Sequence, residues 1–227
     1  MKKIDRYFAL VIVCLVCSSC MTTKLVTSNV KATEIADLQL IDPLSLIFRI
    51  ESGNKGYYND SLSNISKQYI TSYLNSLNGK IPLTGNIFVS DTAIKNKLNA
   101  EIGFLFSSAY RPKDVPSIKI TPIIDSLLDA NQKRFGLIIV TTGYTRAKGN
   151  FGKQLAKGAA IGLLTLGWVT PMPYRASSII YAMIVDSKEK NISFVRRSTQ
   201  DNLEPLDHSV INNQIKDIFE GYFWTEQ

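Results

Sequence analysis

The chain predicts an α/β sandwich, with one mixed sheet of four to five strands carrying helices packed on it in two or three layers. Three observations point there. The patterned segments run β-α-β-α-α-β and then close with a β-hairpin and a helix. Residues 135–141, from Phe135 to Thr141, are apolar at nearly every position, as in a central strand covered on both faces. Leu44, Leu46, Phe48 and Ile50 fall on one side of an alternating run, the pattern of a half-buried strand.

Each element has its own local warrant. After the strand over 44–50, Asn54 and Gly56 mark a loop. Asn59 or Asp60 then caps a helix carrying Leu62, Ile65, Tyr69, Tyr73 and Leu77 at helical spacing, closed by Gly79. Residues 86–90 form a short strand, and Asp91 caps a helix with Ile94, Leu98, Ile102 and Leu105 on one stripe. Pro112 and Pro116 break the chain into a loop. Thr121 followed by Pro122 starts a short helix buried through Ile124, Leu127 and Leu128. Past the central strand, residues 178–185 and 192–197 pair across a polar turn at 186–191. Asp207 caps the last helix, with Ile211, Ile215, Ile218 and Tyr222 on one face.

The chain opens with Lys2, Lys3 and Arg6, a ten-residue apolar run over 7–16, and then Cys17-Ser18-Ser19-Cys20. The cations stay on the cytoplasmic side while the apolar run enters the export channel. Ten residues are too few to cross a hydrocarbon core of ~30 Å. The stretch resembles the signal of bacterial lipoproteins, with Cys17 standing where that family usually has Leu. The resemblance implies removal of residues 1–19 and lipidation of Cys20 with diacylglycerol and palmitate. An ordinary secretory signal cut elsewhere is the alternative. All three cysteines, Cys14, Cys17 and Cys20, lie in this stretch, so the mature domain keeps no thiol for a disulfide or a cysteine metal site.

Residues 20–42 are expected to be a lipid-anchored tether, polar and rich in Ser and Thr, with residues 43–227 forming one domain. Neither an Asp nor an acidic cluster follows Cys20. By the same resemblance this implies an outer-membrane lipoprotein facing the periplasm of a Gram-negative cell. The formal charge is +7, and it falls by two, to +5, when Lys2, Lys3, Arg6 and Asp5 leave with the signal. A mildly basic surface suits an anionic membrane face or an acidic partner. An exported protein is not expected to meet nucleic acid.

The unusual segment is 143–174. It runs from Gly143 through Arg146, Lys148, Lys153 and Lys157 to a glycine-rich apolar stretch, and Pro171 and Pro173 stop it. On a helix, Lys153 and Lys157 share a face. Gly158 and Gly162, four apart, leave a smooth groove for close backbone approach. Trp168 and Tyr174 complete the candidate interface. Three readings fit the segment: packing on the domain's own core, contact with another protein, or insertion into a membrane interface, with Lys153, Lys157 and Arg146 near lipid phosphates. Its apolar part, 158–169, is too short to span a bilayer.

Several chemistries are excluded. One histidine, His208, and no free cysteine do not make a usual zinc site. No nucleophile-elbow sequence accompanies His208. Gly152-Lys153 lacks both the upstream glycine and the following Ser or Thr of a phosphate loop. Glu101, Asp125, Asp129, Asp186 and Glu189 are scattered, with Asp125 and Asp129 expected to form a solvated face beside Lys133. The expectation is no catalytic residue, no metal and no cofactor.

The strand with its long helix, the late hairpin at Asp186-Ser187-Lys188 and the helix from Asp207 together resemble two groups of envelope domains. These are the TolB amino-terminal domains and the lipoprotein activators of penicillin-binding proteins. The resemblance implies a non-enzymatic lipid-anchored envelope protein that binds another envelope protein or itself, or helps assemble a complex. Two alternatives stay open: an envelope hydrolase or glycan-binding domain, and a self-associating outer-membrane structural component.

Overall fold

A computed structural model of the chain describes residues 21–22, 26–27, 30–77, 79–109, 115, 117–166, 168 and 171–225. The signal and the lipidation expected at Cys20 lie outside the described residues. The described elements are β1 (Met21–Thr22), β2 (Val26–Thr27), β3 (Leu38–Ile50), β4 (Tyr57–Tyr58), α1 (Asp60–Ser76), β5 (Leu83–Ile87), α2 (Thr92–Ser108), α3 (Pro122–Ala130), β6 (Phe135–Arg146), α4 (Asn150–Leu164), β7 (Ser177–Asp186), β8 (Asn191–Asp201) and α5 (His208–Phe219). The sheet order is β1-β8-β7-β6-β3-β4, with β2 also on β8 and β5 also on β3. Leaving aside the two-residue strands β1, β2 and β4, the sheet is the five-stranded mixed sheet that the sequence predicts.

The centre is β3 beside β6. They pair in parallel from Leu38 opposite Phe135 to Ile50 opposite Arg146. Both faces of this pair are buried. Leu38, Leu40, Phe135, Leu137 and Ile139 join a core covered by Ile70 and Leu74 of α1 and by Ile211, Ile215 and Ile218 of α5. On the other face, Ile41 and Ile138 meet Leu98, Ile102 and Leu105 of α2 and Ile124 and Leu128 of α3. Helices therefore flank the sheet on both sides, and of the two layerings expected the three-layer one is realised.

Three local expectations need correction. Residues 38–42, expected to be tether, form the first part of β3, with Leu38, Leu40 and Ile41 wholly buried. The Asp42-Pro43 pair looks like a break in sequence. In the fold it sits at a register shift between Ile41 and Leu44, where a proline without an N–H is tolerated. The stripe on α1 is displaced as well. Ser63, Ser66, Ile70 and Leu74 are buried, whereas Ile65 is exposed. A serine serves better than a leucine there because the helix start lies directly on the strand backbone. Ser63 Oγ accepts from Ile47 N–H at 2.9 Å and donates to Asn59 C=O at 2.8 Å. Finally, β5 spans Leu83–Ile87 rather than 86–90, because its parallel pairing reaches down to Leu38.

Helix caps follow the sequence closely. Asn59, Asp91 and Asp207 each accept a backbone N–H of the following turn; Pro122 occupies the start of α3, but Thr121 before it makes no side-chain cap bond. Asp125 and Asp129 face Lys190, at 2.6 and 3.8 Å, whereas Lys133 pairs with Asp37 at 2.6 Å. The antiparallel return of β8 brings Lys190 across to α3, a proximity that sequence distance conceals.

Two groups, one fully and one partly buried, carry testable weight. Asp186 is fully buried at the β7–β8 turn and accepts from Arg134 Nε and Nη2 at 3.0 and 2.7 Å and from Lys188 N–H at 2.9 Å. Asp186→Ala removes these interactions, and that of Glu189 N–H at 3.3 Å, from a fully buried position, so we expect a loss of about 2–4 kcal/mol, measured by urea unfolding. Tyr222 lies 4.8 Å from the ring of Phe194 and donates to Val30 C=O at 3.3 Å. Burial, with Glu34 adding to it, pushes its phenol from 10.0 up to about 12. A raised acid is held neutral by the fold. Its contribution is complete below pH 10 and is lost as pH rises from 10 to about 12. Tyr222→Phe should flatten that part of the stability–pH curve relative to the parent protein.

Candidate functional site

Among the described residues, the segment between β6 and β7 carries the most exposed large apolar side chains. Its first four residues, Gly143 to Arg146, belong to β6, so the excursion proper starts later than the composition suggests. Gly143 is required there: a side-chain carbon would stand 2.3 Å from Ser177 C=O. Gly149 adopts a left-handed backbone (φ 81°) at the start of α4, a conformation that glycine takes without strain.

Arg146 holds the root of the excursion. Its Nε donates to Tyr174 C=O at 2.9 Å, where the chain returns. Nη1 donates to Gly53 C=O at 3.0 Å and to Asn150 Oδ1 at 2.7 Å, and Nη2 donates to Asn54 Oδ1 at 2.9 Å. One guanidinium thus joins β6, the 53–54 loop, the first turn of α4 and the return segment. Arg146 is held by protein groups, in contrast to the lipid-phosphate role considered from sequence. Its side chain also lies 5.7 Å from the ring of Tyr144, whose phenol burial pushes up.

The groove expected from Gly158 and Gly162 exists, and this chain's own backbone fills it. Both glycines are buried, and a side-chain carbon at Gly158 would stand 2.2 Å from Pro171 C=O. The return segment therefore lies against the glycine face, forming a cleft of about 320 Å³ with Asn54, Gln154, Lys157, Ile161 and Met172. Apart from Asn150, Phe151, Gln154 and Ile161, the rest of α4 is open. Lys153 and Lys157 are exposed. Beyond them Leu163 is 80%, Leu164 86%, Leu166 90%, Trp168 90% and Met172 76% exposed, with Tyr174 at 55% near the root. Packing of this apolar stretch on the domain's own core, one of the three readings of the sequence, does not occur.

The structure thus gathers the six candidate interface residues into one projection but gives them different parts. Gly158 receives the returning backbone, Gly162 is buried, Lys153 and Lys157 line its basic half, Trp168 stands at its apex and Tyr174 at its base. The anchoring role of Arg146 was not legible from the sequence. The electrostatic sign of the projection was: no Asp or Glu occurs between Asp129 and Asp186.

Elsewhere the polar groups are engaged structurally. Asp42 is buried at the β3 irregularity between Lys67 of α1 and Lys95 of α2. Glu101 accepts from Ile123 N–H at 3.0 Å. Arg196 donates to the carbonyls of Ile218 and Glu220. His208 packs against Tyr69, with ring centroids 3.8 Å apart. Among the described residues no group of three or more His, Cys, Asp or Glu side chains is placed to hold a metal, and no helix is long and apolar enough to cross a membrane.

No family model and no curated protein matches this chain. Its chain trace is similar to solved structures at low identity. PelC from Paraburkholderia phytofirmans, described as a dodecamer, gives a TM-score of 0.43 at 7% identity over 91% of this chain and 100% of that one. The lipoprotein GNA1162 from Neisseria meningitidis gives 0.33 at 10% over 80% and 93%. The LpoB C-terminal domain from Salmonella enterica gives 0.30 at 10% over 77% and 87%. Likenesses this distant carry no argument about sites or activity.

If Arg146 fastens the root of α4, Arg146→Gln should free the projection while leaving the sheet intact. Trypsin cleavage after Lys148, Lys153 and Lys157 should then rise by about ten-fold, as expected for a locally opened segment. Cleavage at the parent rate would show that packing alone fixes the root.

Proposed function

We propose that this chain is a lipid-anchored component of a bacterial cell envelope. It acts without catalysis, as a binding or assembly element, and α4 with its return segment is its contact surface. The observation that carries the reading is the run of apolar side chains at the α4 apex, exposed by 76–90%. Isolated apolar residues on a surface are ordinary, whereas a contiguous set that includes a tryptophan marks a contact site. The anchor is the diacylglycerol that the signal-like stretch implies for Cys20, which stands immediately before the first described strand. The polar groups of the domain favour the same reading, because Asp42, Asp186, Glu101 and Arg196 are spent on ion pairs, turns and helix ends.

Carbene footprinting of intact envelopes against detergent-purified protein tests the contact surface. Leu163, Leu166 and Met172 should be labelled several-fold less in envelopes, while exposed Ile94 and Phe104 of α2 should be labelled equally in both. Equal labelling of the apex in the two states would remove the proposal. Separately, Cys20→Ala should abolish palmitate incorporation, and incorporation at the parent level would place the lipid elsewhere.

A further inference from the structure

Given the contact surface proposed above, we infer that its occupant is the headgroup and upper acyl layer of an anionic lipid leaflet, entered by the α4 apex. Charge, spacing and topology argue for this. The charge along the projection has one sign. Lys148, Lys153 and Lys157 precede the apex and no carboxylate occurs between Asp129 and Asp186. Within α4 neither the first nor the last turn holds an acid. A protein partner of mixed charge has nothing acidic here to recognise, whereas a sheet of lipid phosphates matches lysines alone.

The spacing suits an interface. Lys157 and Leu164 are seven residues apart, about 10 Å along a helix axis. An apolar segment at a bilayer interface enters roughly 5–10 Å, with cationic side chains at the headgroups. When Leu163, Leu164, Leu166 and Trp168 enter the acyl boundary, Lys157 stands at the phosphate level, and Lys153 reaches it by extending its flexible stem. Trp168 at the apex provides the amphipathic ring that favours this boundary.

Topology supplies an independent argument. β1 runs antiparallel to β8, with Met21 opposite Thr199 and Thr22 opposite Ser198. The chain therefore enters β1 from the end of the sheet where β6 finishes and β7 begins. The α4 projection leaves from that same end. Cys20, the residue before Met21, is thus joined to the domain at the end that carries the apolar apex. A lipid on that cysteine and the apex are placed to engage one bilayer. Two attachments then fix the orientation of the sheet above the leaflet, which a single flexible anchor leaves free.

The test uses the full protein as extracted from membranes and reconstituted into vesicles of phosphatidylethanolamine and phosphatidylglycerol at 3:1, with or without brominated acyl chains. Floated vesicles are collected first. The chain has two tryptophans, so subtracting the emission of Trp168→Phe from that of the parent isolates Trp168. We expect its emission to shift to the blue and to fall at least two-fold with brominated lipid. Lys153→Gln with Lys157→Gln should weaken that quenching on the anionic vesicles and leave it unchanged on phosphatidylcholine alone. Trp168 that stays water-like and unquenched on floated vesicles overturns the inference. A blue shift without quenching that grows with protein density assigns the apex to a second copy, overturning the lipid occupant while the contact surface stands. A water-like apex together with unchanged footprinting in envelopes removes both.

Discussion

The parallel pairing of β3 with β6 is the constraint from which the rest of the fold follows. Two parallel neighbours need a long crossover, and residues 51–134 provide it as α1, β5, α2 and α3. Because both strands are apolar on both faces, the crossover must cover both sides. α1 serves one core and α2 with α3 the other. Asp42, buried at the irregularity of β3 between Lys67 and Lys95, ties helices from opposite layers to one kink in the central strand. β7, β8 and α5 then complete the sheet and the first core.

The same pairing decides where the unusual segment emerges. Past the shift at Ile41–Leu44, β6 stays paired with β3 to its last residue, Arg146 opposite Ile50, and Ala147 N–H still donates to Ile50 C=O. α4 therefore starts from a rigid strand end, with Arg146 as its fastening. The glycines that suggest an interhelical groove let the chain fold back on itself instead. With Pro171 against Gly158, the two limbs of the excursion support each other, and the large apolar side chains of the apex are left to the surroundings. A core-packed helix would have its leucines on the covered face and its lysines outward. Here the covered face belongs to small residues, and the leucines beyond Gly162 are open.

Much of this was legible in the sequence. Helix starts came from local chemistry, the caps Asn59, Asp91 and Asp207 and the proline at position 122, because a helix start is settled within one turn. The central strand at 135–141 came from its two-sided apolarity, and the hairpin from the polar turn at 186–191. The basic character of the excursion was also visible. Local patterns missed contacts that depend on depth of burial. Ser63 and Ser66 lie inward on α1 because the helix sits on a strand backbone, so the apolar stripe misplaced the inward face. Residues 38–42 read as tether because they continue a Ser- and Thr-rich stretch without a period, whereas pairing with β5 and β6 makes them strand.

By itself, then, the sequence determined the fold class, the helix caps, the central strand and the sign of charge around α4, since each depends on neighbours within a turn or on a simple period. Only the tertiary structure decided the two-sided layering, the role of Arg146 and the fate of the glycine groove. These rest on groups brought together across long chain separations, such as Arg146 with Gly53 and Tyr174. No local pattern encodes which backbone will approach which glycine. The sheet decides it by setting where β6 ends and β7 begins.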